Sequence, residues 1–208
     1  MTIRIAFAFS LLAVPAVAAP PSVVPAPAVV PKDDLVRVVL DTAAGRIVLA
    51  LDRARAPITT ANFLRYVDAK RFDGISFYRA MPYGAPGNGL IQSGIRKDAR
   101  LLYPAIAHEP TSATGLKHQA GAIAMANAGP GTAQSDFFIL ASDIPALDAS
   151  SASPGFAVFG RVVEGMEVVK TILAAPIDPT KGAGVMKGQM IASPVPVRTV
   201  RRVLPPKG

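Results

Sequence analysis

The chain contains no cysteine and no tryptophan, and its aromatic residues make up only 6% of 208 positions. Without cysteine there are no disulfides, no thiolate nucleophile and no lipid-anchored cysteine behind a leader. Acidic side chains are few, 14 against 22 lysines and arginines, for a formal net charge of +8. The basic residues are scattered, with Arg201–Arg202 as a doublet. With no basic cluster interleaved with aromatics, a nucleic-acid partner is not expected. The pattern reads as a solvated surface loosely attracted to anionic envelope material. The two histidines, His108 and His118, stand ten positions apart without metal-ligand spacing, so structural roles are expected and no metal. No G-x-S-x-G elbow, phosphate-cradling glycine loop or marked nucleophile–base pair is present, which speaks against a hydrolase on another fold.

What is present divides the chain into three. Residues 1–18 read as a secretory leader: Arg4, an apolar run from Ile5 to Val14, then Ala16-Val17-Ala18 in an A-x-A pattern. Cleavage after Ala18 keeps Pro20 away from the scissile bond, and the run is too short to span a bilayer, so no stable membrane insertion is expected after cleavage. Residues 19–33 are proline-rich and read as an extended spacer. Residues 34–208 form the folded unit. With half of all residues hydrophobic, a core needs no staples.

Within that unit, LVRVVLDTAAGRIVLALD alternates as a hairpin turning at Ala43–Gly45. A helix starts near Pro57, with Phe63, Leu64 and Val67 at helical spacing. GISFYRAM, GLIQSG, GAIAMANA, DFFIL, FAVFGRVV and VPVRTVRRVL read as strands, and EGMEVVKTILAA as a second helix with Met166, Val169, Ile172 and Leu173 on one face. Residues 83–89 and 148–155 read as loops. Many short strands and two helices predict a mainly β fold, a closed barrel with helices over its ends.

FYRAMP and LIQSG, followed by GAIAMANAGPGTAQSDFFI and FAVFGRVVEGMEVV, resemble the cyclophilin family of peptidyl-prolyl cis–trans isomerases. APITTANF and the LKH before the central strand resemble the family too, and the likeness runs from about Leu35 to Leu173. It implies an eight-stranded antiparallel barrel capped by two α-helices, a substrate groove on its outer face, and no cofactor. Arg79 matches the arginine at the centre of that groove, and Gln92 the glutamine that orients it. Phe138, Leu90 and Leu147 match the apolar pocket for the proline ring. Taken alone, those three would pass as ordinary core residues. Asn127 matches the residue whose backbone pairs with an extended peptide, between the small walls Ala126 and Ala128. Tyr78 stands where the family often has histidine.

Several positions depart from the pattern. Gly89 falls where a pocket phenylalanine is expected, and Tyr83 is a candidate to replace it. Asp136 takes a glutamine position; facing the groove it would salt-bridge Arg79, either positioning it or competing with substrate for it, and positioning is the expectation. Phe156 replaces a groove histidine. Ala146 replaces a tryptophan, which should weaken binding of the cyclic peptide cyclosporin. Two readings stay open. One is a periplasmic isomerase, with full secretion as the alternative, acting as a monomer on proline-containing unfolded or extended polypeptides. The other is a barrel that holds peptides as a chaperone or scaffold with little catalysis.

Overall fold

In the computed structural model, β1 (Leu35–Thr42) and β2 (Gly45–Asp52) pair in unbroken register from Leu35↔Asp52 to Thr42↔Gly45. The hairpin turns where its sequence predicts, and the Thr42 hydroxyl closes it, donating to the Gly45 carbonyl at 2.6 Å and accepting from the Ala44 N–H at 3.1 Å. The structure describes residues 34–96 and 98–203, so the leader and the proline-rich spacer expected over residues 1–33 lie outside the described residues.

Helix α1 (Pro57–Asp68) begins at a proline, which presets the first helical φ and gives up no bond there. Its Ala56 cap offers no side-chain acceptor. The free amides are met from far along the chain instead: Glu109 accepts from the Ile58 and Thr59 N–H groups at 3.0 and 2.7 Å, and from the Thr59 hydroxyl at 2.6 Å. A carboxylate at that end also suits the helix dipole. Asn62 donates to the Gln134 carbonyl at 2.7 Å, which ties α1 to the segment entering the strand that carries Phe138.

The other strands are β3 (Ser76–Pro82), β4 (Gly89–Gly94), β5 (Ala122–Met125), β6 (Phe137–Leu140), β7 (Ala157–Glu164), the two-residue β8 (Ile177–Asp178) and β9 (Met190–Arg202). They run in the order β1-β2-β7-β5-β6-β4-β3-β9, and β9 pairs back onto β1, closing an eight-stranded antiparallel barrel with β8 appended to β9. Helix α3 (Met166–Leu173) buries Val168, Val169, Ile172 and Leu173. A single turn, α2 (Thr111–Thr114), lies in the long connection from β4 to β5. No helix among the described residues is long and apolar enough to cross a membrane.

Two clusters of buried side chains follow from strand alternation. The interior holds Leu40, Leu49, Ile91, Ile123 and Ile139 with an aromatic centre, where Phe63 of α1 meets Phe137 edge-on at 5.3 Å and Phe159 at 5.3 Å. The alternate positions of β4, β5 and β6 point outward yet are also buried: Leu90, Ala122, Ala124, Phe138 and Leu140 pack beneath Ile144, Leu147 and Phe156. That outer cluster is the floor of the site.

Candidate functional site

Plain alternation along SFYRAMP would put Arg79 on the same side as Phe77, inside the barrel. The strand avoids this with a bulge. Phe77 pairs with Ser93 and Arg79 with Gln92, so Tyr78 is an extra residue without a partner in the ladder. Phe77 and Ala80 belong to the interior, and both residues between them are excluded from it. Arg79 is thereby delivered to the outer surface, beside Leu90 and Gln92 of β4.

The guanidinium is held on two edges. Its Nη1–H donates to Gln92 Oε1 at 2.7 Å, while Nε–H and Nη2–H both donate to Gln189 Oε1, at 2.8 and 2.6 Å. The Met81 sulfur lies 3.4 Å from Nη2, a weak acceptor. Of five guanidinium N–H donors, three therefore go to amide oxygens and one faces sulfur, which leaves one Nη1–H without a partner among the described residues. Burial pulls the Arg79 pKa down from its ordinary value, but a guanidinium stays charged at neutral pH. No salt bridge to Arg79 forms among the described residues. The site is a fixed cation with a free donor.

Arg79 lines a groove of about 490 Å³. Phe138 and Leu90, each 4% exposed, lie in its floor, with Leu147 and Phe156 beside them. The Phe138 and Phe156 rings meet edge-on at 5.3 Å, and His118 stacks against Phe138 at 6.0 Å. His118 is itself fixed: its Nδ1 lies 2.7 Å from Asp148 Oδ1. Burial pushes the His118 pKa down; burial also acts to raise that of Asp148, but the hydrogen bonds from His118 and the neighbouring charges of His118 and Lys117 together bring it below its usual range. The pair is thus neutral imidazole donating to carboxylate, a structural prop under the apolar floor. Ala126, Asn127 and Ala128, just past β5, line one wall. Asn127 Oδ1 accepts from the Gly129 N–H at 3.0 Å, and its buried Nδ2 has no partner among the described residues.

Every site residue expected from the sequence lines this groove except Tyr78. The bulge turns Tyr78 into a neighbouring cleft of about 840 Å³, where its hydroxyl donates to Asp136 Oδ2 at 2.9 Å and Arg96 lies over its ring at 4.4 Å. Asp136 does reach the groove, but the salt bridge expected between it and Arg79 is not formed. Its carboxylate is taken by Tyr78 and by the Ser135 hydroxyl at 3.4 Å, and burial raises its pKa. Tyr83 does not fill the place of the missing phenylalanine; it is 45% exposed and outside the groove, and Met81 lines the wall instead. Ala146 is exposed on the turn Pro145–Leu147.

Sequence reasoning passed over Gln189 and Met81, which contact the guanidinium, and Val185 and Met186, which line the same groove. The available signal was Val185–Met186, two large apolar residues set in the glycine-rich run KGAGVMKGQ. Among the described residues no group of three or more His, Asp or Glu side chains is placed to hold a metal ion.

Comparison with known proteins agrees with this geometry. Residues 36–195 match the family model for cyclophilin type peptidyl-prolyl cis-trans isomerase. The chain is 38% identical over 136 residues to peptidyl-prolyl cis-trans isomerase A of Dickeya dadantii, covering 65% of this chain and 70% of that protein. It is 38% identical over 150 residues to peptidyl-prolyl cis-trans isomerase cyp18 of Streptomyces antibioticus, covering 70% and 87%. A crystal structure of a Cryptosporidium parvum cyclophilin type isomerase, determined in the presence of the dipeptide Ala-Pro, superposes with a TM-score of 0.65 at 21% identity, over 81% of this chain and 99% of that one.

Proposed function

The chain belongs to the cyclophilin-type peptidyl-prolyl cis–trans isomerase family, and we propose that it catalyses X–Pro rotation through the free N–H of Arg79, on proteins folding outside the cytoplasm. The carrying observation is a guanidinium fixed by two neutral amides with one donor unspent, in the same groove as the apolar side chains of Leu90, Phe138 and Leu147.

The chemistry needs little more. An X–Pro bond resists rotation by about 18–20 kcal/mol because resonance makes the C–N bond partly double. At a 90° twist that resonance is lost and the lone pair returns to the prolyl nitrogen. Phe138, Leu90 and Leu147 hold the ring by contact, Ala126 and Ala128 leave room for the residue before it, and Arg79 donates to the nitrogen. The planar amide offers no such acceptor, so the bond is stronger in the transition state than in the ground state. No covalent intermediate is formed. The groove needs only proline in an extended segment, so broad substrate choice follows. The Ala-Pro dipeptide named with the Cryptosporidium structure is a natural first substrate to try.

The test is cis–trans exchange of an Ala-Pro peptide followed by NMR, with wild type and Arg79→Ala side by side. Removing one preorganised donor should lower the catalysed rate by about a hundredfold. Exchange that survives the substitution undiminished would overturn the arginine mechanism. Peptide shifts without acceleration by either protein would favour the peptide-holding reading. For location, the basic start, apolar run and A-x-A of residues 1–18 support export to the periplasm. Terminal sequencing of the native protein should begin at Ala19, and a chain that keeps Met1 would refute cleavage.

A further inference from the structure

The run from Lys181 to Gln189 lies between β8 and β9, and its last residue hydrogen-bonds the Arg79 guanidinium. It is a closed loop. Its stem is the β8–β9 pairing, Ile177↔Ile191 and Asp178↔Met190. Its neck is drawn together by the Gly188 N–H donating to the Lys181 carbonyl at 2.8 Å, and its tip by Met186 N–H to the Ala183 carbonyl at 3.1 Å. Gly182 sits at φ +94, and a Cβ there would run into the Met186 carbonyl, so the tight path depends on glycine. The tip presents Val185, 87% exposed, and Met186 to the groove.

Where the loop ends, Gln189 is pinned on three sides. Its carbonyl accepts from the Ala80 N–H at 3.0 Å, one residue past Arg79, and its own N–H donates to the Met186 carbonyl at 3.2 Å. The side-chain Nε2 donates to the Val185 carbonyl at 3.0 Å. That leaves Oε1 facing Arg79, where it accepts from both Nε–H and Nη2–H.

We propose that Gln189 is a second positioning residue for Arg79, carried on the 181–189 loop, and that together with Gln92 it fixes the plane in which the guanidinium meets the substrate. This rests on the reading of Arg79 as the catalytic donor. A long arginine stem held only at Nη1 by Gln92 can still swing about that contact. A second acceptor on the Nε edge removes the swing, and the free Nη1–H is then aimed before substrate arrives. The acceptor is an amide rather than a carboxylate. A bidentate carboxylate would grip the guanidinium harder and neutralise the charge that donation to the prolyl nitrogen uses.

The experiment compares wild type, Gln189→Leu, Gln189→Glu, Arg79→Ala and the double variant Arg79→Ala/Gln189→Leu, by NMR exchange kinetics on an Ala-Pro peptide. Solvent exchange of the ¹⁵N-labelled Arg79 Nε–H is read on the same samples. Losing one charge-assisted hydrogen bond should lower kcat of Gln189→Leu by about tenfold with KM changed by less than about twofold. Its Arg79 Nε–H should exchange faster, Gln189→Glu should restore that protection and part of kcat, and the double variant should be no slower than Arg79→Ala alone. Wild-type kcat with Nε–H still protected in Gln189→Leu would overturn the proposal, and so would a further loss in the double variant. Should Gln189→Leu not fold, Gln189→Asn, whose amide falls one methylene short of Arg79, gives the same comparison. If Arg79→Ala alone keeps full activity, the parent reading has failed, while the Nε–H protection still reports whether Gln189 holds the guanidinium.

Discussion

Gly89 is where the chain departs most sharply from the pocket expected of its family, and the structure turns that departure into a quantitative prediction. Gly89 opens β4 opposite Pro82, with its carbonyl accepting from the Ala141 N–H at 2.8 Å and its N–H donating to the Ser142 hydroxyl at 3.1 Å. Its φ is +141, and a Cβ added there would be driven into the Met81 carbonyl oxygen, with the Met81 carbonyl carbon and Pro82 Cα both at 3.0 Å. The obstacle is backbone, so it cannot rotate away. Gly89→Ala then combines about 1–3 kcal/mol of backbone strain with about 1–3 kcal/mol of overpacking. For a protein of this size each kcal/mol moves Tm by about 2–4 °C, so a drop of about 10 °C is expected. Gly87→Ala is the control: its φ is +80, but nothing lies within 4 Å of the new Cβ. It should cost the strain alone, about 1 kcal/mol and about 3 °C. Melting followed by circular dichroism separates the two. If Gly89→Ala melts no lower than Gly87→Ala, the close approach at Met81 does not govern this position. The same geometry predicts that Gly89→Phe restores no turnover, because Met81 already lines that wall.

Three further outcomes can be checked. Asp136→Asn should leave Ala-Pro exchange within about twofold of wild type, because the carboxylate bonds Tyr78 and Ser135 rather than Arg79. Burial raises the Asp136 pKa, so its ionisation opposes folding; Asp136→Asn should melt higher than wild type at neutral pH, and the difference should shrink as pH falls through that raised value. No gain at neutral pH would refute the burial argument. Arg201 grips Asp73 with two bonds, at 2.6 and 2.7 Å, and holds its pKa below the usual carboxylate range. Arg201→Ala should cost about 1 kcal/mol at pH 7, and the difference from wild type should fade as acid protonates Asp73; a constant difference down to pH 2 would refute the ion pair as its source. His118 is kept neutral by burial, so wild-type stability present above its ordinary value of 6.5 should decline as pH falls below it. His118→Gln should flatten that part of a urea-midpoint profile, and an unchanged slope would refute the assignment.

The elements set by local chemistry are legible in the sequence itself. The hairpin at Ala43–Ala44, the helix opening on Pro57 and the apolar face of α3 follow from turn residues and periodicity within a few positions. The groove floor was legible through the order of Arg79, Gln92, Phe138 and Leu147, which the resemblance supplied. Features that depend on register between distant strands were not. Nothing in SFYRAMP announces that Tyr78 is an extra residue, because the bulge exists only against Gln92 and Ser93. The same slip decides that Tyr78, and not Arg79, takes the Asp136 carboxylate. Glu109 caps a helix fifty positions upstream, and Gln189 reaches Arg79 across 110 residues. A pattern read in short windows has no means of pairing such partners.

The pairing of β9 back onto β1 carries a consequence for how this protein can treat a client. Many peptide-binding domains take an extended chain as one more strand, zipping backbone to backbone along an open sheet edge. A closed barrel has given that edge away, and among the described residues the unpaired side that remains belongs to β8, two residues long. A polypeptide lying over Phe138 would therefore find no long strand edge to pair with among the described residues, and its recognition would rest largely on side chains. Recognition of that kind suits an isomerase, which has to release each proline once it has turned.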